Sequence, residues 1–117
     1  MNTISAHPLV SSSDVNGTNV YGNDGAKIGA IDHLMIDKAS GNVAYAVMGF
    51  GGFMGLGEDH HPVPWGKLHY DTQKEGYVAD ISEAEVKGAP EQFEGWSADR
   101  DWERRTHEHY GVPIYWL

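Results

Sequence analysis

The chain has 117 residues, with 17 acidic and 8 basic side chains and a formal net charge of -9. A surface this acidic repels phosphate backbones and anionic lipid headgroups, so we expect no general nucleic-acid binding and no attachment to anionic membranes. The absence of cysteine excludes disulfides, thiolate nucleophiles and thiolate metal sites, and it fits a reducing, cytoplasmic location. No signal-peptide or membrane-spanning pattern is present, so we expect a protein that is not inserted in a membrane.

The first half of the chain predicts a short lead-in followed by three strands. Residues 1–13 are polar and irregular, and we expect them to be flexible. Runs rich in β-branched and apolar residues follow, separated by turn residues such as Asn23, Asp24 and Gly25. The predicted strands are residues 15–21, 27–37 and 43–50. Their short connections indicate a β-meander.

The second and third predicted strands do not alternate between polar and apolar side chains. In residues 43–50 both faces are apolar, whereas a strand with one solvent-facing side alternates. In the second strand one parity is apolar except for Asp32, and the other also contains apolar residues, Ile31 and Met35. Two explanations remain open: the strands are covered on both faces, or a β-bulge shifts the alternation. The second cover would be the tail of the chain or another subunit.

Residues 49–57 contain five glycines around Phe53, Met54 and Leu56, which predicts a loop with large apolar side chains. The segment after it contains Pro62 and Pro64, and prolines at this spacing favour an edge strand. Two further short strands are predicted at residues 67–70 and 77–81. A helical turn follows at residues 82–86, where a serine and a glutamate three residues later form a capping-box pattern.

The tail after residue 88 has a different composition from the rest of the chain. All five lysines lie between Lys27 and Lys87, whereas all three arginines lie in the tail. Ser97 is the predicted N-cap of a helix that extends to about residue 109. Its contact stripe comprises Ala98, Trp102, Thr106 and Tyr110, at intervals of four residues. The apolar end of the chain, residues 111–117, should pack on the body of the protein or on a partner subunit.

Several segments of this sequence, in the order in which they follow one another, resemble the PRC-barrel domain family. They are VYGNDGAKIGAI at 20–31, LMID at 34–37, GNVAYAV at 41–47, and Pro64-Trp65 followed by Leu68. The tail, with DWERR at 101–105 and YGVP at 110–113, resembles small stand-alone bacterial members. The resemblance covers about residues 14–87. It implies a mainly β fold: a small antiparallel PRC-type β-barrel with a C-terminal tail that contains one short α-helix.

The resemblance divides the chain into a lead-in at 1–13, a PRC-barrel domain at 14–88 and a tail at 89–117 that docks on the barrel or on a partner subunit. Related domains, in the photosynthetic reaction centre H subunit and in a ribosome-maturation factor, dock on larger assemblies. The resemblance therefore implies a non-catalytic interaction or regulatory module. We expect a protein partner, and a homodimer in particular. The alternatives are a small-ligand or metal-binding stress-related protein, an assembly factor similar to the ribosome-maturation protein, and an enzyme using Asp and His at the barrel mouth.

Exposed apolar groups often mark interfaces, and two sets of residues are therefore candidate partner contacts. One is the loop set, Phe53, Met54 and Leu56. The other is the set of tail aromatics, Trp102, Tyr110, Tyr115 and Trp116. Aromatic side chains supply much of the energy of protein interfaces, which is why the tail set is included.

No catalytic residue, cofactor or metal site is predicted. His60 and His61 follow two acids and are weak metal candidates, but neighbouring residues of an extended segment point to opposite sides. His107 and His109 are two positions apart on the predicted helix and so point in different directions. Asp32 and His33 are a candidate buried ionisable pair in the second strand.

Overall fold

The computed structural model describes residues 8–50 and 60–116. In these residues the chain forms six strands and three α-helices. The strands are β1 (Asn19–Tyr21), β2 (Lys27–Ile36), β3 (Val43–Gly49), β4 (His60–Pro64), β5 (Leu68–Asp71) and β6 (Gly76–Ala79). The helices are α1 (Ser12–Val15), α2 (Glu83–Gly88) and α3 (Arg100–Tyr110), and short 3₁₀ turns lie at Trp65–Lys67 and Trp96–Ala98. The segment before β1 therefore contains a helical turn where the sequence predicted the end of a flexible lead-in and the start of a strand.

The six strands form one mixed sheet in the order β4-β3-β2-β1-β6-β5. The meander predicted for the first strands is confirmed, because β1, β2, β3 and β4 pair in sequence and antiparallel. The sheet predicted as antiparallel is mainly so, and it contains one parallel pair, in which β6 runs parallel to β1. The edge strands β4 and β5 have no ladder with each other in the part of the chain that the structure describes, so backbone pairing there does not close a barrel.

A β-bulge shifts the alternation of side chains in β2, which is one of the two explanations that the sequence left open for its pattern. The register against β3 slips between Ile31 and His33, so Ile31 is buried while Asp32 and His33 are exposed. Near the start of β2, Gly29 permits a close approach to the end of β3. A Cβ atom there would lie only 2.3 Å from the carbonyl oxygen of Gly49.

One hydrophobic core receives side chains from every strand of the sheet. The edge strands contribute Val63 from β4 and Leu68 from β5, and the helices contribute Val86 and Tyr110. Strand β4 is an edge strand, as the two prolines predicted, because proline cannot donate a ladder hydrogen bond. The edge strands therefore share the core of the central strands.

The capping box predicted at the start of α2 is present. The hydroxyl of Ser82 accepts the backbone N–H of Glu85 at 3.1 Å, and the Glu85 carboxylate accepts the backbone N–H of Ser82 at 3.0 Å. These two bonds satisfy donors that a helix N-terminus otherwise leaves without partners. The local sequence therefore fixes where this helix begins, and Val86 packs it against the core.

The helix in the tail begins at Arg100, two residues later than a cap at Ser97 predicts. Ser97 lies in a 3₁₀ turn, and the Asp99 carboxylate instead accepts the backbone N–H groups of Asp101 and Trp102, at 2.9 and 3.0 Å. Ala98 is exposed, so the buried stripe contains the other three predicted positions. Gly111, with φ of 70°, ends the helix in the left-handed region that glycine adopts without strain.

The tail packs on the second apolar face of β3. Ala44, Tyr45 and Val47 form a second core cluster with Trp96 and Trp102. The tail of the same chain thus provides the second cover that β3 required.

Candidate functional site

The candidate partner contacts fall into three structural classes. Phe53, Met54 and Leu56 lie outside the described residues. Trp102 and Tyr110 are 1% and 3% exposed, so their side chains belong to the cores of their own chain and present no surface to a partner. Tyr115 and Trp116 are half-buried and remain accessible at the surface. Of the candidates placed by the structure, only these last two can contact a partner directly.

An aromatic cluster joins the tail to the sheet around the ring of Tyr45. Trp96 meets this ring edge-on with centroids 5.5 Å apart, and Trp102 lies at 6.0 Å. Edge-on pairs of this kind add about 0.5–1.5 kcal/mol to the energy of area burial. The indole N–H of Trp102 also donates to the carbonyl oxygen of Glu91 at 2.8 Å. Helix α3 is therefore held by packing and by a directed hydrogen bond.

A buried carboxylate lies beside this cluster and organises the end of the chain. Glu103 is 3% exposed, and one of its oxygens accepts the hydroxyl of Tyr45 at 2.9 Å and the hydroxyl of Tyr115. Its other oxygen accepts Arg100 Nη1 at 2.9 Å. A buried charge needs such partners, because leaving it unpaired costs several kcal/mol. Three separate parts of the chain, strand β3, helix α3 and the C-terminal segment, thus meet at one acid.

The same environment raises the pKa of the phenols that contact Glu103. Burial is the largest cause for Tyr45, and the Glu103 carboxylate adds to it by charge repulsion and by accepting the phenol proton. Burial and the bond to Glu103 raise the pKa of Tyr115 to about 12. Both phenols therefore keep their protons and act as donors throughout the physiological pH range.

His107 is a second buried polar residue of α3, 2% exposed. Its Nδ1 is 2.7 Å from the carbonyl oxygen of Glu103, and a carbonyl only accepts, so Nδ1 carries a proton. The ring packs against Tyr45 and Tyr115, with centroids 5.3 and 5.7 Å apart. It also lines a cavity of about 340 Å³ that Trp65 and Tyr115 border. His107 therefore has its orientation set by the helix backbone.

The surface at the end of the chain consists of two aromatic rings, Tyr115 and Trp116, that pack against the guanidinium groups of two arginines. The guanidinium carbon of Arg100 lies 4.0 Å from the centroid of the Trp116 ring, and that of Arg104 lies 5.7 Å away. Arg100 also lies 5.5 Å from the Tyr115 ring. We call these four residues the arginine–tryptophan surface. Two pairs of opposite charge are spaced four residues apart on α3: Asp101–Arg105 is an ion pair at 3.2 Å, whereas Arg104–Glu108 is not among the ion pairs of the described residues.

Asp32 and His33 are not a buried pair, because both are exposed where the bulge turns them outward. Asp32 Oδ2 lies 2.6 Å from His33 Nδ1, and Asp32 Oδ1 lies 3.5 Å from His60 Nε2. The hydrogen bond with His33 is the largest influence that lowers the pKa of Asp32. The bulge thus gathers three polar groups at the surface.

The weak metal candidates point in different directions. His60 approaches Asp32, whereas the ring of His61 packs edge-on against the buried ring of Phe50, 5.7 Å away. Within residues 8–50 and 60–116, no group of three or more His, Asp or Glu side chains has the arrangement of a metal site. His60 and His61 do not converge on one point.

One cleft in this part of the structure has a volume of about 830 Å³. It lies between β4, the end of α2, the segment that follows it and α3. Its lining includes Pro62, Val86, Trp96, Trp102 and Tyr110. Helices α2 and α3 are joined beside it by His109, whose Nε2–H donates to the carbonyl oxygen of Glu85 at 2.7 Å.

The six-stranded sheet with its helical tail defines a small, mainly β domain with a main core and a second core cluster beneath the tail. The sequence model of the PRC-barrel domain matches residues 8–86, which is more than half of the chain, and the chain therefore belongs to the PRC-barrel domain family. A search of the curated proteins found no match. None of the helices within the described residues is both long enough and apolar enough to cross a membrane.

Sequence reasoning missed Arg100, Glu103 and His107 as members of the site. Helix α3 also carries exposed acids, and the identity of Glu103 alone does not distinguish it from them. One signal was present, because Glu103 and His107 lie four residues apart and each directly follows a residue of the predicted stripe. A predicted contact face of α3 wider than the single stripe would have included Glu103 and His107.

Proposed function

We propose that this PRC-barrel protein is a non-catalytic interaction module that docks on a larger assembly through the arginine–tryptophan surface. The observation that carries the proposal is the half-buried Trp116 ring held against Arg100 and Arg104. Tryptophan, tyrosine and arginine are the residues most enriched among those that dominate binding energies. Here they occur together on a chain whose net charge is -9.

The support for a preformed contact surface comes from the residues beneath it. Arg100 is fixed by Glu103 and by the hydroxyl of Tyr115, to which its Nη1 donates at 2.9 Å. A side chain ordered in advance loses less entropy when a partner binds. The surface is therefore suited to binding a partner without first folding.

The same network favours a binding role over a catalytic one. Glu103 has a buried carboxylate, and both of its oxygens already accept hydrogen bonds from its own chain. A general base needs a lone pair within reach of a substrate proton. We infer that this acid holds the tail in place.

We further infer that the sheet is of the barrel type and that the protein forms a homodimer. Val63 and Leu68, from the two edge strands, share one core, which supports a sheet curved toward closure. In a two-fold dimer, the arginine–tryptophan surfaces of two copies contact each other across the axis. Glu108 on α3 is exposed, and in this arrangement it neutralises an arginine of the other copy.

Sedimentation velocity over a concentration series tests the dimer. We expect a reversible dimer for the wild-type protein and a shift to monomer for Trp116→Ala. The matched control is Phe93→Ala, which removes an aromatic side chain that is 44% exposed elsewhere in the tail. Affinity purification from the native host with the same three proteins tests docking on a larger assembly. Loss of associated proteins in both variants, or in neither, would contradict the role of the arginine–tryptophan surface.

A further inference from the structure

A cavity of about 340 Å³ lies where the body of the domain meets the tail, and the ring of His107 forms part of its wall. Because Nδ1 of this ring donates to the carbonyl oxygen of Glu103, the lone pair of the neutral ring is on Nε2, which accepts hydrogen bonds. Nε2 has no hydrogen-bond partner within residues 8–50 and 60–116. Unlike the hydroxyl of Tyr110, it is also not enclosed, so a molecule in the cavity can reach it.

An acceptor in this position points to a bound molecule. His107 as a whole is only 2% exposed, and a nearly buried acceptor without a donor is unfavourable. Native proteins complete most such groups with a protein group, an ordered water or a ligand. The helix backbone and the rings of Tyr45 and Tyr115 fix the orientation of the imidazole. Nε2 is therefore a preformed hydrogen-bond acceptor at the cavity.

The described residues that line the cavity carry no carboxylate, lysine or arginine, although the net charge of the chain is -9. Trp65 and Tyr115 contribute aromatic rings, Val43 and Ala44 contribute aliphatic side chains, and Asn42 adds a neutral amide. The volume is at the lower end of the range of about 300–1,000 Å³ that is typical of small-molecule sites. These walls favour a small uncharged ligand over an ion.

We propose that this cavity binds a small uncharged aromatic molecule whose hydroxyl or ring N–H group donates to Nε2 of His107. The ring of the molecule would contact the side chains of Trp65 and Tyr115. The proposal goes beyond the docking function, because the two arginines and the tryptophan of the arginine–tryptophan surface do not line the cavity. Tyr115 borders both sites.

Phenol and toluene, two probes of nearly equal size, test the role of Nε2. Each is titrated into the ¹⁵N-labelled full-length protein, and the backbone amides and the ring nitrogens of His107 are followed by NMR. We expect phenol to shift the amide resonances of Val43, Gly66 and Tyr115. We expect it also to move the resonance of His107 Nε2 upfield, as accepting a hydrogen bond does. Toluene should bind at least about fivefold more weakly, because it leaves the lone pair of Nε2 without a donor.

Two phenylalanine variants assign the binding to the cavity. Val43→Phe puts a larger side chain in the cavity wall and should weaken phenol binding by about tenfold or more. Ile36→Phe is the matched control, because Ile36 pairs with Val43 in the sheet but is 50% exposed and does not line the cavity. It should leave the affinity for phenol unchanged. If Val43→Phe does not fold, the Nε2 resonance of the wild-type protein still decides the assignment.

Several results would each overturn the proposal. They are equal affinity for phenol and toluene, no binding of phenol at millimolar concentration, shifts confined to residues outside the cavity, or an Nε2 resonance that phenol leaves unchanged. Tighter binding of benzoate than of phenol would show an anion site at a charged His107, and the assignment of an uncharged ligand would be wrong. If the probes fail while Trp116→Ala still disrupts association, the cavity inference is wrong and the proposed function stands.

Discussion

Replacing Trp102 by alanine should remove a large part of the stability of the whole domain. The side chain is 1% exposed and fills the space between α3 and the second face of β3. Truncating a buried tryptophan costs about 3–5 kcal/mol, because both the burial energy and the packing around the new cavity are lost. A domain of this size has a total stability of about 5–15 kcal/mol, so the loss is about a fifth of that stability or more.

Urea unfolding followed by far-ultraviolet circular dichroism gives this free energy directly. Phe93→Ala is the matched control, because it also truncates a tail aromatic, but one that is 44% exposed. We expect a change of less than about 0.5 kcal/mol for the control, as for most surface substitutions. If Trp102→Ala changes the free energy of unfolding by less than about 1 kcal/mol, the tail is not part of the folded unit and our description of the second core is wrong.

The remaining predictions concern the buried acid, acid stability and metal dependence. Tyr45→Phe removes one of three hydrogen bonds to Glu103 and should lower the unfolding free energy by about 1.5–3 kcal/mol; an equal effect of Tyr70→Phe, at a residue that is 45% exposed, would refute this. The folded-state pKa of Asp32 is lowered, so Asp32→Asn should destabilise the protein above pH 3.8, the ordinary pKa of the carboxyl. The difference in stability from wild type should disappear as the pH falls through the lowered pKa. A difference that persists below it would contradict the stabilising role of the Asp32 carboxylate. Chelation with EDTA should leave the melting temperature unchanged, and a drop of several degrees restored by one metal would show that the metal prediction is wrong.

The strand order of the first half could be predicted because its information is local. Turn residues separate short β-type runs, and sequential antiparallel strands need nothing else to form a meander. The bulge in β2 was one of two explanations that the sequence left open, because Asp32 interrupts an otherwise apolar parity of this strand. The capping box of α2 is likewise contained in a few consecutive residues.

The features that could not be predicted depend on contacts between distant segments. Whether β6 pairs parallel with β1 is decided by the path of the chain around the core, which no local pattern records. The burial of Glu103 depends on Tyr45, which lies 58 residues away. The start of α3 was misplaced because Ser97 and Asp99 are both good caps, and the 3₁₀ turn that includes Ser97 selects the second.

Photo-crosslinking at position 116 in the native host tests the central claim most directly. Trp116 is replaced by p-benzoylphenylalanine, and the control carries the same group in place of Tyr70, which is exposed on strand β5. The proposed function predicts covalent adducts to a protein, either a second copy or another component, from position 116 and few or none from position 70. Equal adducts from both positions, or none from position 116, would contradict the claim that the arginine–tryptophan surface is the docking site.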